Sequence, residues 1–422
     1  MEYITISGQH KLQGSITING SKNAAVAILP AAIASGDICV IENIPNIEDV
    51  KIMTDAIQTL GVDCRFRDEH TLVVDSRHLN EHIATYDSLK NMRGSYYLMG
   101  ALLGRFRRAE VPYPGGCNFG ERPIDYHLRG FEMLGAKCYV ENGMVKASAD
   151  KLTGAAIYLD IPSVGATINI MLAAVYAEGV TQIENAAKEP HVVDTANFLN
   201  QLGAKIKGAG TDIIKITGVT SLHGGTYSII PDEIEAGTYM IASAITGGDV
   251  VVQNIIPKHL DPLTAKLKEI GCEITEGADG TSLRVVGGGE LHGCSIKASF
   301  YPGFPTDLKP QITALLCMAN GTSVISEMVW EHRFQYVNEL KRLGANIKVE
   351  GRIAVVEGPC VLTGAQVTAT DLRASAALVI AGLAAKGETI IGNVKYLDRG
   401  YDSFEKKFCG LGADIRRVEL PE

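Results

Sequence analysis

The sequence predicts an α/β fold turned inside out, with apolar helices at the centre and sheets around them, in six repeated units grouped as two domains of three. Three observations carry this. The first is a recurring step, "LGVDCRF", "LGAKCYV", "LGAKIKG", "IGCEITE", "LGANIKV" and "LGADIRR". It places Gly61, Gly135, Gly203, Gly271, Gly344 and Gly412 at separations of 74, 68, 68, 73 and 68 residues. The second is a set of segments in phase with these glycines that are apolar nearly all round, a pattern that marks helices buried on every side. The third is the short strand that follows most of them, such as "TQIEN", "DVVVQN" or "ETIIGN". A chain of 422 residues is also too long for one ordinary core.

Each unit of about 70 residues opens on a polar junction. The junctions are "INGSKNAA" at 18–25, "NMRGS" at 91–95, "PSVGAT" at 162–167, "PDEIEAG" at 231–237, "PTDLKP" at 305–310 and "TDLRAS" at 370–375. Ser21 and Asp371 are the expected N-caps there. The buried helices follow: "AAVAILPAAIASG", "SYYLMGALLGRF", "INIMLAAVYAEG", "GTYMIASAITGG", "PQITALLCMANG" and "ASAALVIAGLAAKG". Next come a strand and an amphipathic helix such as "DTANFLNQ" or "FQYVNELKR", closed by the repeat glycine in a left-handed cap. Helix N-termini favour anions, so a cleft between two sets of them suits a phosphorylated substrate.

Composition narrows the function. The net charge of −9 gives nucleic-acid binding no electrostatic support, while a local Lys/Arg cluster can still hold a small anion. No stretch reaches the length of a membrane helix, and "MEYITISGQHKL" does not read as a signal peptide, so a cytoplasmic location is expected. The nine cysteines form no CxxC pair, and most sit among apolar neighbours as small core residues. Cys117 differs. It lies in "PYPGGCNFGERPID", too rich in Gly and Pro for a helix or central strand, beside Arg122 and within ten residues of His127. A thiol there can have a lowered pKa and act as acid or nucleophile, although an incidental loop cysteine is an equal reading of the residues alone. Likewise Lys22 reads as a solvated lysine or an anion ligand, and Asp307 as an N-cap or a base.

The segments "NGSKNAA", "PGGCNFGERPID", "PSVGAT", "PGFPTDLKPQ", "EHRF", "TDLRASAALVIAG" and "YLDRGY" resemble, in order and over essentially the whole chain, the UDP-sugar branch of the EPSP synthase-like enolpyruvyl transferase family. The resemblance implies a two-domain inside-out α/β barrel whose chain crosses between domains twice. It places residues 1–21 and 230–422 in one domain and 22–229, carrying the Cys117 loop, in the other. It implies transfer of the enolpyruvyl group of phosphoenolpyruvate to the 3′-hydroxyl of UDP-N-acetylglucosamine, with release of phosphate, as a step toward peptidoglycan. It implies no cofactor and no metal.

The same resemblance assigns roles. Cys117 delivers a proton to C3 of phosphoenolpyruvate and is the site alkylated by the epoxide fosfomycin. Lys22 and Asn23 meet the anionic substrate and the tetrahedral intermediate. Arg122 and Arg399, with Arg93, hold phosphate and carboxylate. Asp307 accepts or orients the sugar hydroxyl, and Glu331, Asp371 and Arg373 lie near the substrate. Arg122, Pro123, Ile124 and Asp125, with Ser163, Val164 and Gly165, line the uridine and diphosphate. The N–H groups of Ser163, Val164 and Gly165 form the expected phosphate cradle, and Asp371 with Arg373 can alternatively be a structural ion pair. The sequence departs from the family pattern at Glu233, where Arg is frequent, at His332, where Asn is frequent, and at Ile161, where some members place Lys. The rival readings are transfer to shikimate 3-phosphate, and a UDP-sugar-binding paralogue without catalysis.

Overall fold

The computed structural model describes residues 2–84, 96–113 and 124–419. Cys117, Arg93, Arg122 and Pro123 lie outside these residues. The chain forms two compact units, passing from one to the other between Asn19 and Gly20 and returning between Ile230 and Pro231. Each unit has its own hydrophobic core.

The six apolar segments are helices: Lys22–Ala34, Tyr97–Phe106, Val164–Ala174, Glu233–Thr246, Lys309–Leu316 and Leu372–Ala384. Eleven of the thirteen residues from Lys22 to Ala34 are buried, as a segment with no polar face requires. Ser21 caps the first of these helices through its hydroxyl, and Asp371 caps the last through its carboxylate. The amphipathic helices, Glu48–Thr59, Asp125–Met133, Pro190–Gln201, Asp261–Ile270, Tyr336–Arg342 and Phe404–Gly410, bury one side only. Each ends at its repeat glycine, and all six glycines have φ between +91° and +113°, a conformation in which a Cβ is strained.

Small residues let the inner helices approach closely. Gly100 donates its N–H to Asn169 Oδ1 at 2.7 Å, and a Cβ at Gly100 would stand 2.2 Å from the Asn169 carbonyl oxygen. That obstacle is backbone and cannot swing aside. Gly100→Ala is therefore expected to destabilise the 20–230 unit by roughly 3 kcal/mol, seen as a lower unfolding midpoint. An unchanged midpoint would show that the helices separate without cost.

The strands form small mixed sheets, one parallel pair in each four-stranded sheet and antiparallel pairs otherwise. In strands such as Ile213–Thr217 buried and exposed residues alternate, so one sheet face packs on the inner helices and the other meets solvent. Three pairings tie distant chain together. Glu2–Ser7 lies between Glu388–Gly392 and Asp414–Glu419 in the last sheet, and Gln13–Thr17 runs parallel to Asp249–Gln253. In the other unit Gly225–Ser228 pairs in parallel with Ile38–Glu42, returning the end of that unit to its beginning.

Of the described cysteines, Cys39, Cys64, Cys272, Cys294 and Cys317 are buried, Cys138 and Cys360 are half-buried, and Cys409 is exposed. Burial pushes the Cys317 thiol up to about 12, consistent with an inert core residue. Among the described residues no helix is long and apolar enough to cross a membrane.

Candidate active site

The junction "PTDLKP" does not place Asp307 as an N-cap, contrary to the simplest reading of the sequence. Pro305 occupies the cap position, Thr306–Leu308 form a single 3-10 turn, and the α-helix begins at Lys309 with Pro310 in its first turn. The Asp307 carboxylate instead takes two guanidinium groups. Arg333 donates from Nη2 to Oδ1 at 2.7 Å; Arg373 donates from Nε to Oδ2 at 3.2 Å, with its Nη2 3.1 Å from the same oxygen. The arginine side chains are only 8% and 4% exposed, against 27% for the carboxylate, so the charges meet where water screens them little.

Asp371 and Arg373 are not an ion pair. Asp371 Oδ1 accepts the backbone N–H groups of Arg373 at 2.9 Å and Ala374 at 3.0 Å, which is helix capping. That cap frees the Arg373 guanidinium to reach across to Asp307. Burial opposes its charge, and Asp307, Tyr401 and Asp232 outweigh that effect, holding the group above its ordinary pKa. Glu331 lies on an exposed turn, paired with Arg352 at 2.9 Å. Arg399 closes the short Lys395–Asp398 helix and is partly exposed. The neighbouring Asp398 is gripped by both terminal nitrogens of Arg417, at 2.9 and 2.5 Å.

Glu233 is the first residue of its helix, after the Asp232 cap. Its Oε2 is buried without a hydrogen-bond partner, and burial followed by the Asp232 charge pushes the carboxyl up to about 8, with Arg373 pulling the other way. The folded state thus holds this proton more tightly than the unfolded chain. Between its ordinary 4.5 and about 8, unfolding releases a proton, so stability falls as pH rises through that window and levels off above it. Glu233→Gln should remove this decline. Melting curves at successive pH values between these limits should show the variant gaining on wild type, and parallel curves would refute the assignment.

In the 20–230 unit, Lys22 begins its helix and its Nζ lies 3.0 Å from Oδ2 of the buried Asp49. Asn23 beside it is half-buried. Ser163 caps the Val164–Ala174 helix, accepting from the Ala166 N–H at 3.3 Å. The phosphate cradle expected at this helix needs one correction: the Ser163 N–H donates to the Ile161 carbonyl at 2.7 Å. This leaves Val164 and Gly165, whose first-turn N–H groups have no acceptor within the helix. His127 stands behind Gly165, where a Cβ would be 3.0 Å from the ring. Burial pulls the His127 imidazole down to about 4, so it is neutral, and its Nδ1 pairs with the Asn169 amide at 2.9 Å. Ile124 is buried, and Asp125 is exposed in the first turn of the next helix.

Three residues of the Asp307 surroundings escaped the sequence reading: Arg333, Lys309 and Glu327. Arg333 sits inside the quoted "EHRF" and Lys309 inside "PTDLKP", so only Glu327 had no motif to mark it. Among the described residues no group of three or more His, Cys, Asp or Glu is placed to hold a metal ion.

The fold thus sets buried inner helices against small sheets, with a carboxylate clamped between arginines at a helix start. The chain belongs to the EPSP synthase family: the profile described as EPSP synthase (3-phosphoshikimate 1-carboxyvinyltransferase) matches residues 6–408. Within it, the chain is 55% identical to the UDP-N-acetylglucosamine 1-carboxyvinyltransferase of Clostridium botulinum, over 99% of this chain and 100% of that one. It is 50% identical to UDP-N-acetylglucosamine 1-carboxyvinyltransferase 2 of Bacillus subtilis, over 100% and 98%. Among solved structures, the enolpyruvyl transferase NikO from Streptomyces tendae superposes with a TM-score of 0.91 at 28% identity, covering 100% of this chain and 99% of that one. The EPSP synthase of Acinetobacter baumannii, at 19% identity, 99% and 100% coverage and a TM-score of 0.76, shares the fold.

Proposed function

We propose that the protein transfers the enolpyruvyl group of phosphoenolpyruvate to the 3′-hydroxyl of UDP-N-acetylglucosamine, releasing phosphate, in the cytoplasm and on the route to peptidoglycan. The observation that carries this is identity of 50–55% over the full length of relatives named for that reaction. In the addition step the sugar hydroxyl oxygen bonds to C2 of phosphoenolpyruvate, its proton passes to Asp307, and Cys117 gives a proton to C3. The product is a tetrahedral ketal. In the elimination step C3 loses a proton, the C2–C3 double bond reforms, and phosphate leaves from C2. No electrons change hands with any other reagent.

Lys22, Arg399, Arg122 and Arg93 neutralise the phosphate and carboxylate of phosphoenolpyruvate, a task for which planar guanidinium groups suit both oxyanions. Asn23 and the first-turn N–H groups of Val164 and Gly165 serve the nucleotide sugar, together with Pro123, Ile124 and Asp125. Glu331, Asp371 and Arg373 lie near the substrate, and Arg373 orients Asp307.

Phosphate release from phosphoenolpyruvate tests the reading. It should require UDP-N-acetylglucosamine and not occur with shikimate 3-phosphate. Release with the latter alone, or with neither, would overturn it. In the same assay Lys22→Ala should raise the KM for phosphoenolpyruvate and lower turnover, together costing roughly 10²-fold or more in kcat/KM.

A further inference from the structure

Lys309 and Glu327 are both fully buried, and Lys309 Nζ lies 2.8 Å from Glu327 Oε2. A buried ion pair is often no more stabilising than apolar side chains of similar volume, so its presence calls for a reason beyond stability. The contacts around it supply one. Lys309 Nζ also donates to the Arg333 carbonyl at 2.6 Å and sits 3.7 Å from the centre of the Phe334 ring. Burial pulls the ammonium down to about 8, against the opposing effect of Glu327.

Glu327 is held as firmly. Its Oε1 accepts the N–H groups of Val329 at 2.8 Å and Trp330 at 3.2 Å, and its Oε2 accepts the Thr306 hydroxyl at 2.7 Å. A carboxylate only accepts, so the Thr306 proton points at Glu327. The Thr306 oxygen is then turned to accept from Arg333 Nη1, at 2.9 Å. The circuit closes: Lys309 to Glu327, Glu327 to Thr306, Thr306 to Arg333, and the Arg333 carbonyl back to Lys309. Arg333 is thereby held at both its backbone and one arm of its fork, while the other arm carries Asp307.

We infer that the Lys309–Glu327 pair is a positioning device for Asp307, orienting its carboxylate through Thr306 and Arg333. This rests on the proposed role of Asp307 in accepting the sugar proton. Removing one partner leaves a buried charge and can unfold the protein, so the decisive variant removes both. Lys309→Met combined with Glu327→Met keeps apolar bulk in both places and should fold.

The expected result is a kcat about 30-fold lower, with KM for both substrates within about twofold, because a small misplacement of a reacting group acts on turnover. Glu327→Asp, which retains the charge, should recover part of the loss. A crystal structure of the double variant should show Arg333 withdrawn from Thr306 and the Asp307 carboxylate turned. Wild-type kcat, or a fall in stability alone, would overturn the inference. So would an unchanged Arg333–Asp307 geometry, and that readout stands even if wild type fails to use UDP-N-acetylglucosamine, which would sink the proposed function instead.

Discussion

Cys117→Ser is expected to cut phosphate release by roughly 10²- to 10⁴-fold, the range over which a positioned acid contributes to rate. A serine hydroxyl occupies nearly the same space but gives up its proton far less readily than a thiol. Cys117→Asp separates proton delivery to C3 from the alkylation by fosfomycin that the family resemblance implies. A carboxylic acid can also deliver a proton to C3, so this variant should retain substantial turnover. A carboxylate is not readily alkylated by an epoxide, so fosfomycin should no longer inactivate it. Turnover of the serine variant close to wild type would remove Cys117 from the chemistry. An aspartate variant as sensitive as wild type would place the fosfomycin target elsewhere.

Asp307→Asn should be nearly as damaging, about 10³-fold in kcat on the same scale. The amide keeps the shape of the side chain but loses the basic oxygen, and it leaves Arg333 and Arg373 facing each other without their shared carboxylate. Two buried like charges then repel, so a lower melting temperature should accompany the loss of rate. Asp307→Glu keeps the charge and shifts it by one methylene. If position matters, this variant should lose about 10²-fold in turnover and little stability. A glutamate variant with wild-type kcat would reduce Asp307 to a counter-ion for the arginines.

Much of the architecture was legible because its causes are local. A stretch such as "INIMLAAVYAEG", apolar nearly all round, has no continuous polar face to offer water, so it must be covered on nearly every side wherever it lies. The repeat glycines take positive φ because the chain turns there just after a helix, a demand set by neighbouring residues. The caps at Ser21 and Asp371 reach only two or three residues along the chain. Periodicity, capping and turn chemistry all act over such distances, and a reader of the sequence sees both partners at once.

The polar partnerships of the site were not legible in this way. Asp307 stands at a junction where a cap is the natural guess, yet its partners are Arg333, 26 residues on, and Arg373, 66 residues on. Asp371 and Arg373 are two residues apart and invite pairing, but the backbone N–H groups of the helix start claim the carboxylate first. Lys309 and Glu327, each one charge among many in the sequence, become a single buried unit only after the chain folds.

By itself, then, the amino-acid order determined six repeats, buried helices with their caps and terminal glycines, and membership of a family of carboxyvinyl transferases. Only the tertiary structure decided which charges meet. A helix start needs just its nearest neighbours, whereas the choice among distant acids and bases depends on which are brought together and shut away from water, where an unpaired charge is too costly to leave alone.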